Sequence, residues 1–109
     1  MAYDEILEGR IRAVLEGQPG LTAKKMFGGV GFMVNGNMAC GVNKLDLIVR
    51  VGPKNYEEAL SKAHTRPFDM TGRPMKGWVV VLPDGYAAEA DLRAWLGQGL
   101  DFVLSLPPK

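Results

Sequence analysis

The glycine cluster Gly28-Gly29-Val30-Gly31 is the first feature whose residue types suggest chemistry, because glycine-rich loops bind phosphate through backbone amides at the start of a helix. The segment that follows, Phe32-Met33-Val34, is typical of a strand, and the cluster lacks the third glycine of a dinucleotide-binding fingerprint. The sequence also has no Gly-Lys-Ser or Gly-Lys-Thr. The cluster therefore predicts a bent β-hairpin rather than a phosphate site.

Nucleophilic and metal chemistry have few candidate residues. Cys40 is the only cysteine and His64 the only histidine, which excludes an intramolecular disulfide, a cysteine-based zinc site and a two-histidine metal site. We expect Cys40 to be a small apolar residue inside a strand and His64 to be exposed at a helix end. Glu57 and Glu58 point about 100° apart on a helix, so they are poorly placed for shared acid–base work. We predict no catalytic residue, no cofactor and no metal ion.

The distribution of charge suggests a surface for an acidic partner. The net charge is only +1, yet residues 24–76 hold nine basic and four acidic side chains, while residues 1–23 and 77–109 each carry a net charge of −2. Five basic residues of the middle segment form a candidate interaction rim: Lys24, Lys25, Arg66, Arg73 and Lys76. The excess is moderate beside the dense basic stripe of a DNA-binding module.

The sequence has the pattern of neither a membrane-spanning segment nor a signal peptide. No apolar run reaches the roughly 20 residues of a membrane span. Asp4, Glu5 and Glu8 stand where a signal peptide would place basic residues. We expect a cytoplasmic protein with no membrane partner.

The elements that position these residues follow from hydrophobic spacing. The predicted helices cover residues 3–16, 53–63 and 86–106. The predicted strands cover residues 26–34, 37–43, 45–51, 66–70 and 77–82. This pattern predicts one α+β domain over residues 1–109, in the order α-β-β-β-α-β-β-α, with a mostly antiparallel sheet covered by helices.

Several residues define these elements more closely. Asn35-Gly36 predicts a tight hairpin turn, and Gly28-Gly29 predicts a bulge or bend within strand 26–34. Pro67 makes strand 66–70 an edge strand, whereas the β-branched run in strand 77–82 favours a central position. Gly97 and Gly99 predict either a kink in the last helix or close packing of another backbone against it.

Four segments, taken in order, resemble the TfoX N-terminal domain family. The segments are Lys25-Met26-Phe27-Gly28-Gly29-Val30-Gly31-Phe32, Arg66-Pro67-Phe68, Met75-Lys76-Gly77-Trp78 and Leu92-Arg93-Ala94-Trp95. The resemblance implies an α-β3-α-β2-α arrangement like that of secretion chaperones. It also implies a non-enzymatic, transcription-linked role, because the family takes its name from a bacterial competence regulator. That regulator has a second, helical domain, whereas this chain ends at Lys109.

Three functions follow as hypotheses. The first is a non-enzymatic protein-interaction or regulatory module with a protein partner or a second copy of itself, since an edge strand and apolar sheet residues offer a surface to cover. The second is a nucleic-acid-associated transcriptional regulator that uses the candidate rim. The third is a small ligand-binding protein or enzyme whose pocket lies between the hairpin and the final helix and includes Cys40 or His64.

Overall fold

The computed structural model describes residues 3–26, 28–69 and 72–109, and it shows an α+β domain built on one six-stranded sheet. The helices are α1 (Glu5–Leu15), α2 (Tyr56–Leu60), α3 (Pro83–Tyr86) and α4 (Glu89–Leu104), with a 3-10 turn at Pro53–Asn55. The strands are β1 (Leu21–Met26), β2 (Gly29–Val34), β3 (Asn37–Asn43), β4 (Asp46–Arg50), β5 (Thr65–Asp69) and β6 (Pro74–Val81). The predicted fold class is confirmed.

The sheet has the strand order β1-β2-β3-β4-β6-β5, and all five pairings are antiparallel. β5 is an edge strand, as Pro67 predicted. β6 lies between β4 and β5, which makes it internal but second from the edge. Among the described residues, no helix is both long and apolar enough to cross a membrane.

The prediction of one bent strand over residues 26–34 was wrong. Residues 21–26 form β1, which pairs with β2 so that Met26 faces Gly29, and the chain therefore reverses where a bend was expected. Gly28 has a φ of 75°, a value that favours glycine. Phe27, within the predicted strand 26–34, and Met70, at the end of the predicted edge strand, lie outside the described residues.

The predicted hairpin turn at Asn35-Gly36 is confirmed. Both residues have positive φ, 54° and 85°, as a two-residue turn between twisted strands requires. Close to this turn, the amide of Asn37 donates to the carbonyl of Pro107, and the backbone N–H of Lys109 donates to the carbonyl of Asn35. Residues 107–109 are therefore attached to the tip of the β2–β3 hairpin.

The helices pack on one face of the sheet, which we call the covered face. Its core contains Leu7 and Ile11 of α1, Leu92 and Leu96 of α4, and Phe32 of β2, all with at most 1% of their surface exposed. Ala59 of α2 and Tyr86 of α3 belong to the same cluster. All four helices thus contribute buried side chains to one core on the covered face.

Two predicted helices differ from the structure at their ends. The predicted helix 53–63 is a 3-10 turn followed by the short α2, and the predicted helix 86–106 begins at Glu89 after the separate turn of α3. Gly99 lies so close to β3 that a Cβ atom there would be 2.5 Å from the carbonyl oxygen of Ala39, whereas a Cβ at Gly97 would meet nothing within 4 Å. Close packing is therefore the correct alternative at Gly99.

Candidate interaction surface on the open face of the sheet

The side of the sheet opposite the helices, which we call the open face, is defined by strand alternation. Residues paired across neighbouring strands share a face, so one row of the open face can be followed through all six strands. This row consists of Lys24, Gly31, Gly41, Ile48, Val80 and Arg66. Apolar and glycine residues form its middle, and a basic residue stands at each edge.

A second row lies beside the first and is rich in large side chains. It contains two cross-strand pairs, Met33–Met38 and Arg50–Trp78, together with Phe68, whose ring packs against Trp78. These five side chains are half-buried, although the helices pack on the covered face. The terminal methyl of Met38 lies over Gly41, where an added Cβ would be 2.9 Å from it. Two adjacent glycines, Gly31 and Gly41, thus leave space that a flexible methionine fills.

Next to the second row, Ile48 and Val80 form the floor of a cavity of about 340 Å³. They are 5% and 2% exposed, so their neighbours on the open face cover most of their surface. Phe68 and Asp69 also line the cavity, at the point where the pairing of β5 and β6 shifts register. The open face therefore combines apolar floor residues with a recess of small-molecule or side-chain size.

One ion pair spans this cavity. Arg66 of β5 donates to the carboxylate of Asp46 of β4 at 3.1 Å. The arginine side chain is about half exposed, so the pair contributes at most about 1 kcal/mol to stability. The pair matters for the surface because each charge already has a partner.

Arg50 has a different environment from Arg66. Its guanidinium carbon lies over the ring of Trp78 and over the ring of Phe102, 5.2 Å from each centroid. Within the described residues it has no carboxylate within ion-pair distance and no hydrogen-bond acceptor. Trp78 in turn packs against Phe68, with ring centroids 6.0 Å apart. A cation and three aromatic rings thus form one continuous group at the end of β4.

The position of Phe102 depends on a glycine. Gly52 follows β4 with a φ of 87°, and a Cβ there would be 2.5 Å from the Phe102 ring. The amides of Val51 and Gly52 both donate to the carbonyl of Gly77, which holds this corner of the sheet together. The Phe102 ring can therefore lie against the backbone of Gly52, beside Arg50.

The structure does not bring the five residues of the predicted basic rim together. Lys24 and Lys25 lie on β1 and Arg66 lies on β5, at opposite edges of the sheet. Lys24 and Arg66 share the open face, but Lys25 pairs with Val30 and so belongs to the covered side. Arg73 lies in the loop before β6, and Lys76 lies on the exposed first half of that strand.

Cys40 and His64 are not brought together either. Cys40 is 1% exposed within the core, and burial raises the pKa of its thiol to about 12. His64 is exposed, as predicted, and lines a recess of about 200 Å³ with Asp84, Asp91 and Trp95, of which Cys40 is not part. The described residues contain no group of three or more side chains suited to holding a metal ion.

Sequence reasoning missed Arg50 and Trp78 as parts of a surface. The β-branched run in predicted strand 77–82 favoured a central position in the sheet, and no surface role was assigned to Trp78. The available signal was alternation: Arg50 lies between Val49 and Val51, which are fully buried on the covered face, so its side chain had to lie on the other side.

Comparison with known proteins gives one match. A family model described as the TfoX N-terminal domain matches residues 13–103. The matched region contains the whole sheet and the 3-10 turn as well as α2 and α3, and it ends one residue before the end of α4. No curated protein and no solved structure matches the chain.

Proposed function

Because the chain belongs to the TfoX N-terminal domain family, we propose that it is a non-enzymatic protein-interaction module, acting in regulation, whose binding surface is the open face of the sheet. The observation that carries the proposal is the unequal use of the two faces. The covered face buries its apolar residues under helices, whereas Met33, Met38, Phe68 and Trp78 on the open face are only half-buried.

The composition of the open face supports a protein partner. Exposed apolar surface rimmed by polar residues is typical of interaction sites. Tryptophan and arginine are the residue types that most often dominate the binding energy of an interface, and Trp78 and Arg50 are neighbours here. Methionine adapts its shape to a partner at little cost, which suits Met33 and Met38. The proposed partner is a cytoplasmic protein.

Site-specific photo-crosslinking in cells of the source organism tests this function. A benzophenone amino acid replaces Met38 on the open face or, as the control, Ile6, which is 78% exposed on α1. We expect a crosslinked partner from position 38 and not from position 6. Equal crosslinking from both positions, or none from position 38, would contradict the proposal.

Self-association is part of the same proposal. β1 is an edge strand without proline, so its outer backbone groups are free to pair with a second copy, whereas Pro67 limits such pairing on β5. Light scattering after size exclusion should show a dimer. A strict monomer at the highest soluble concentration would remove self-association and leave the open-face proposal standing.

A nucleic-acid partner is the second candidate function. Lys24 and Arg66 end the same row of the open face, and five strand spacings of about 4.8 Å separate them by roughly 24 Å. An extended phosphate backbone could contact both. Fluorescence anisotropy with a labelled oligonucleotide at low salt should then show salt-sensitive binding. An unchanged anisotropy would eliminate this candidate.

A further inference from the structure

We propose that Arg50 is the anchor residue of the open face and that it binds a carboxylate on an apolar segment of a partner protein. This inference rests on the proposed function and adds to it the chemistry of the partner. Arg50 differs from the arginines that have acidic partners in this structure. Those arginines are Arg10, Arg12, Arg66 and Arg93.

The hydrogen-bonding groups of Arg50 are available to a ligand. Aromatic rings attract a guanidinium through its charge, but they offer no lone pair to its N–H groups. Among the described residues, no buried side-chain nitrogen or oxygen lacks a hydrogen-bond partner. Since Arg50 is half-buried and has no such partner, its nitrogens are open to solvent. Its guanidinium nitrogens therefore keep contact with water that a ligand can displace.

The two rings also hold Arg50 in place before a ligand arrives. Trp78 is its direct cross-strand neighbour, and Phe102 is fixed by its close contact with Gly52. An arginine side chain that is free in solution loses considerable rotamer entropy on binding. Contacts with two rings reduce that loss, because the planar donor fork is already oriented. A carboxylate accepts such a fork through two parallel hydrogen bonds.

The surroundings of Arg50 favour a protein segment over a nucleic acid. It shares the open face with Met33, Met38, Phe68 and its direct cross-strand neighbour Trp78, all of which offer apolar contact. The charge of Arg66 is already paired with Asp46. Arg50, which has no acidic partner among the described residues and is bordered by aromatic rings, suits one acidic side chain flanked by apolar ones. A nucleic acid would instead require several phosphate contacts.

Selection from a random linear-peptide library displayed on phage tests the inference. The bait is the wild-type chain, and bound phage are counter-selected against an open-face variant, Trp78→Ser, so that only ligands of this surface are kept. We expect the selected peptides to share an Asp or Glu flanked by apolar residues. Calorimetry then measures one selected peptide and its Glu→Gln or Asp→Asn form.

The expected results form a double-mutant cycle. Arg50→Met should weaken binding of the acidic peptide by about tenfold or more, because charge-assisted hydrogen bonds are about twice as strong as neutral ones. Arg50→Lys, which keeps the charge but not the fork, should restore only part of the affinity. The amide form of the peptide should bind Arg50→Met and wild type alike. Arg93→Met, on the outer side of α4, is the matched control and should change nothing.

Each contrary outcome has a definite meaning. Peptides that bind the open face without a conserved acidic residue, or that bind Arg50→Met as well as wild type, overturn the role of Arg50 and leave the proposed function intact. A library that yields no ligand sensitive to Trp78→Ser overturns both. Tighter, Arg50-dependent binding of a single-stranded oligonucleotide overturns the choice of a carboxylate. Thermal melting of each variant confirms that it is folded.

Discussion

The contact between α4 and β3 at Gly99 can be tested with a pair of matched substitutions. Gly97 and Gly99 lie two residues apart in the interior of α4, so substitution by alanine should improve the helix propensity equally at both positions. That gain is about 1 kcal/mol for glycine to alanine in a helix interior. The two positions differ in their surroundings, because only Gly99 lies against the backbone of β3.

The magnitude follows from the distances at Gly99. An added Cβ would lie 2.5 Å from the carbonyl oxygen of Ala39, and ordinary contact begins at 3.4 Å, so α4 must retreat by roughly 0.9 Å. The blocking atom belongs to a strand backbone in the middle of the sheet, which cannot turn aside as a side chain could. Overpacking of this kind costs about 1–3 kcal/mol.

Urea unfolding, followed by the fluorescence of Trp95 and Trp78, gives the free energy of unfolding for both variants. We expect Gly97→Ala to be more stable than wild type by up to about 1 kcal/mol, and Gly99→Ala to be less stable than Gly97→Ala by about 1–3 kcal/mol. The propensity term cancels in this difference, which isolates the steric cost. Equal stabilisation by both substitutions would refute the close approach of α4 to β3.

Three further predictions concern other parts of the structure. Cys40 should react slowly with iodoacetamide in the native protein and rapidly in urea. Because the folded thiol pKa of about 12 exceeds the unfolded value of 9.0, the difference in free energy of unfolding between wild type and Cys40→Ala should be constant below pH 9 and should change against wild type by about 1.4 kcal/mol per pH unit from there toward pH 12. A difference that does not depend on pH would contradict complete burial of the thiol. Asp4→Ala should lower the free energy of unfolding by about 1 kcal/mol, since the Asp4 carboxylate accepts two amides of α1 at 2.9 and 3.2 Å, and the control Asp4→Asn should differ from wild type by only a few tenths. Gly52→Ala should cost about 1–3 kcal/mol in thermal or urea unfolding, because it combines a positive φ with a clash against Phe102, and an unchanged stability would show that the ring does not rest there.

Local signals in the sequence predicted the turn and the helix that are determined by residues close together in the chain. Asn35-Gly36 specified its turn because both residues tolerate positive φ, and the apolar spacing of α1 specified a helix. β1 was not predicted because its middle residues Ala23, Lys24 and Lys25 are exposed at the edge of the sheet, so no apolar alternation marks it. The two glycines after it were then read as a bend rather than a turn.

The open face could not be predicted because it depends on contacts between distant segments. The apolar run in β6 is compatible with helices on one face or on both, and only the placement of all four helices decides between them. Likewise, Arg50 meets Phe102 because α4 crosses the end of β4, which no spacing within either segment indicates. The rim residues all belong to the basic middle segment, residues 24–76, but the strand order places Lys24 and Lys25 at the opposite edge of the sheet from Arg66.

Because residues 107–109 are attached to the β2–β3 hairpin, this hairpin completes its hydrogen bonds only late in the synthesis of the chain. Asn37 is 3% exposed, and the acceptor of its side-chain amide lies 70 positions later in the chain. While the ribosome is still adding α4, the hairpin can form, but its tip must hydrogen-bond to water in place of Pro107. The tip of this hairpin thus exchanges water for a protein carbonyl only after Pro107 has been added, well after both of its strands are complete.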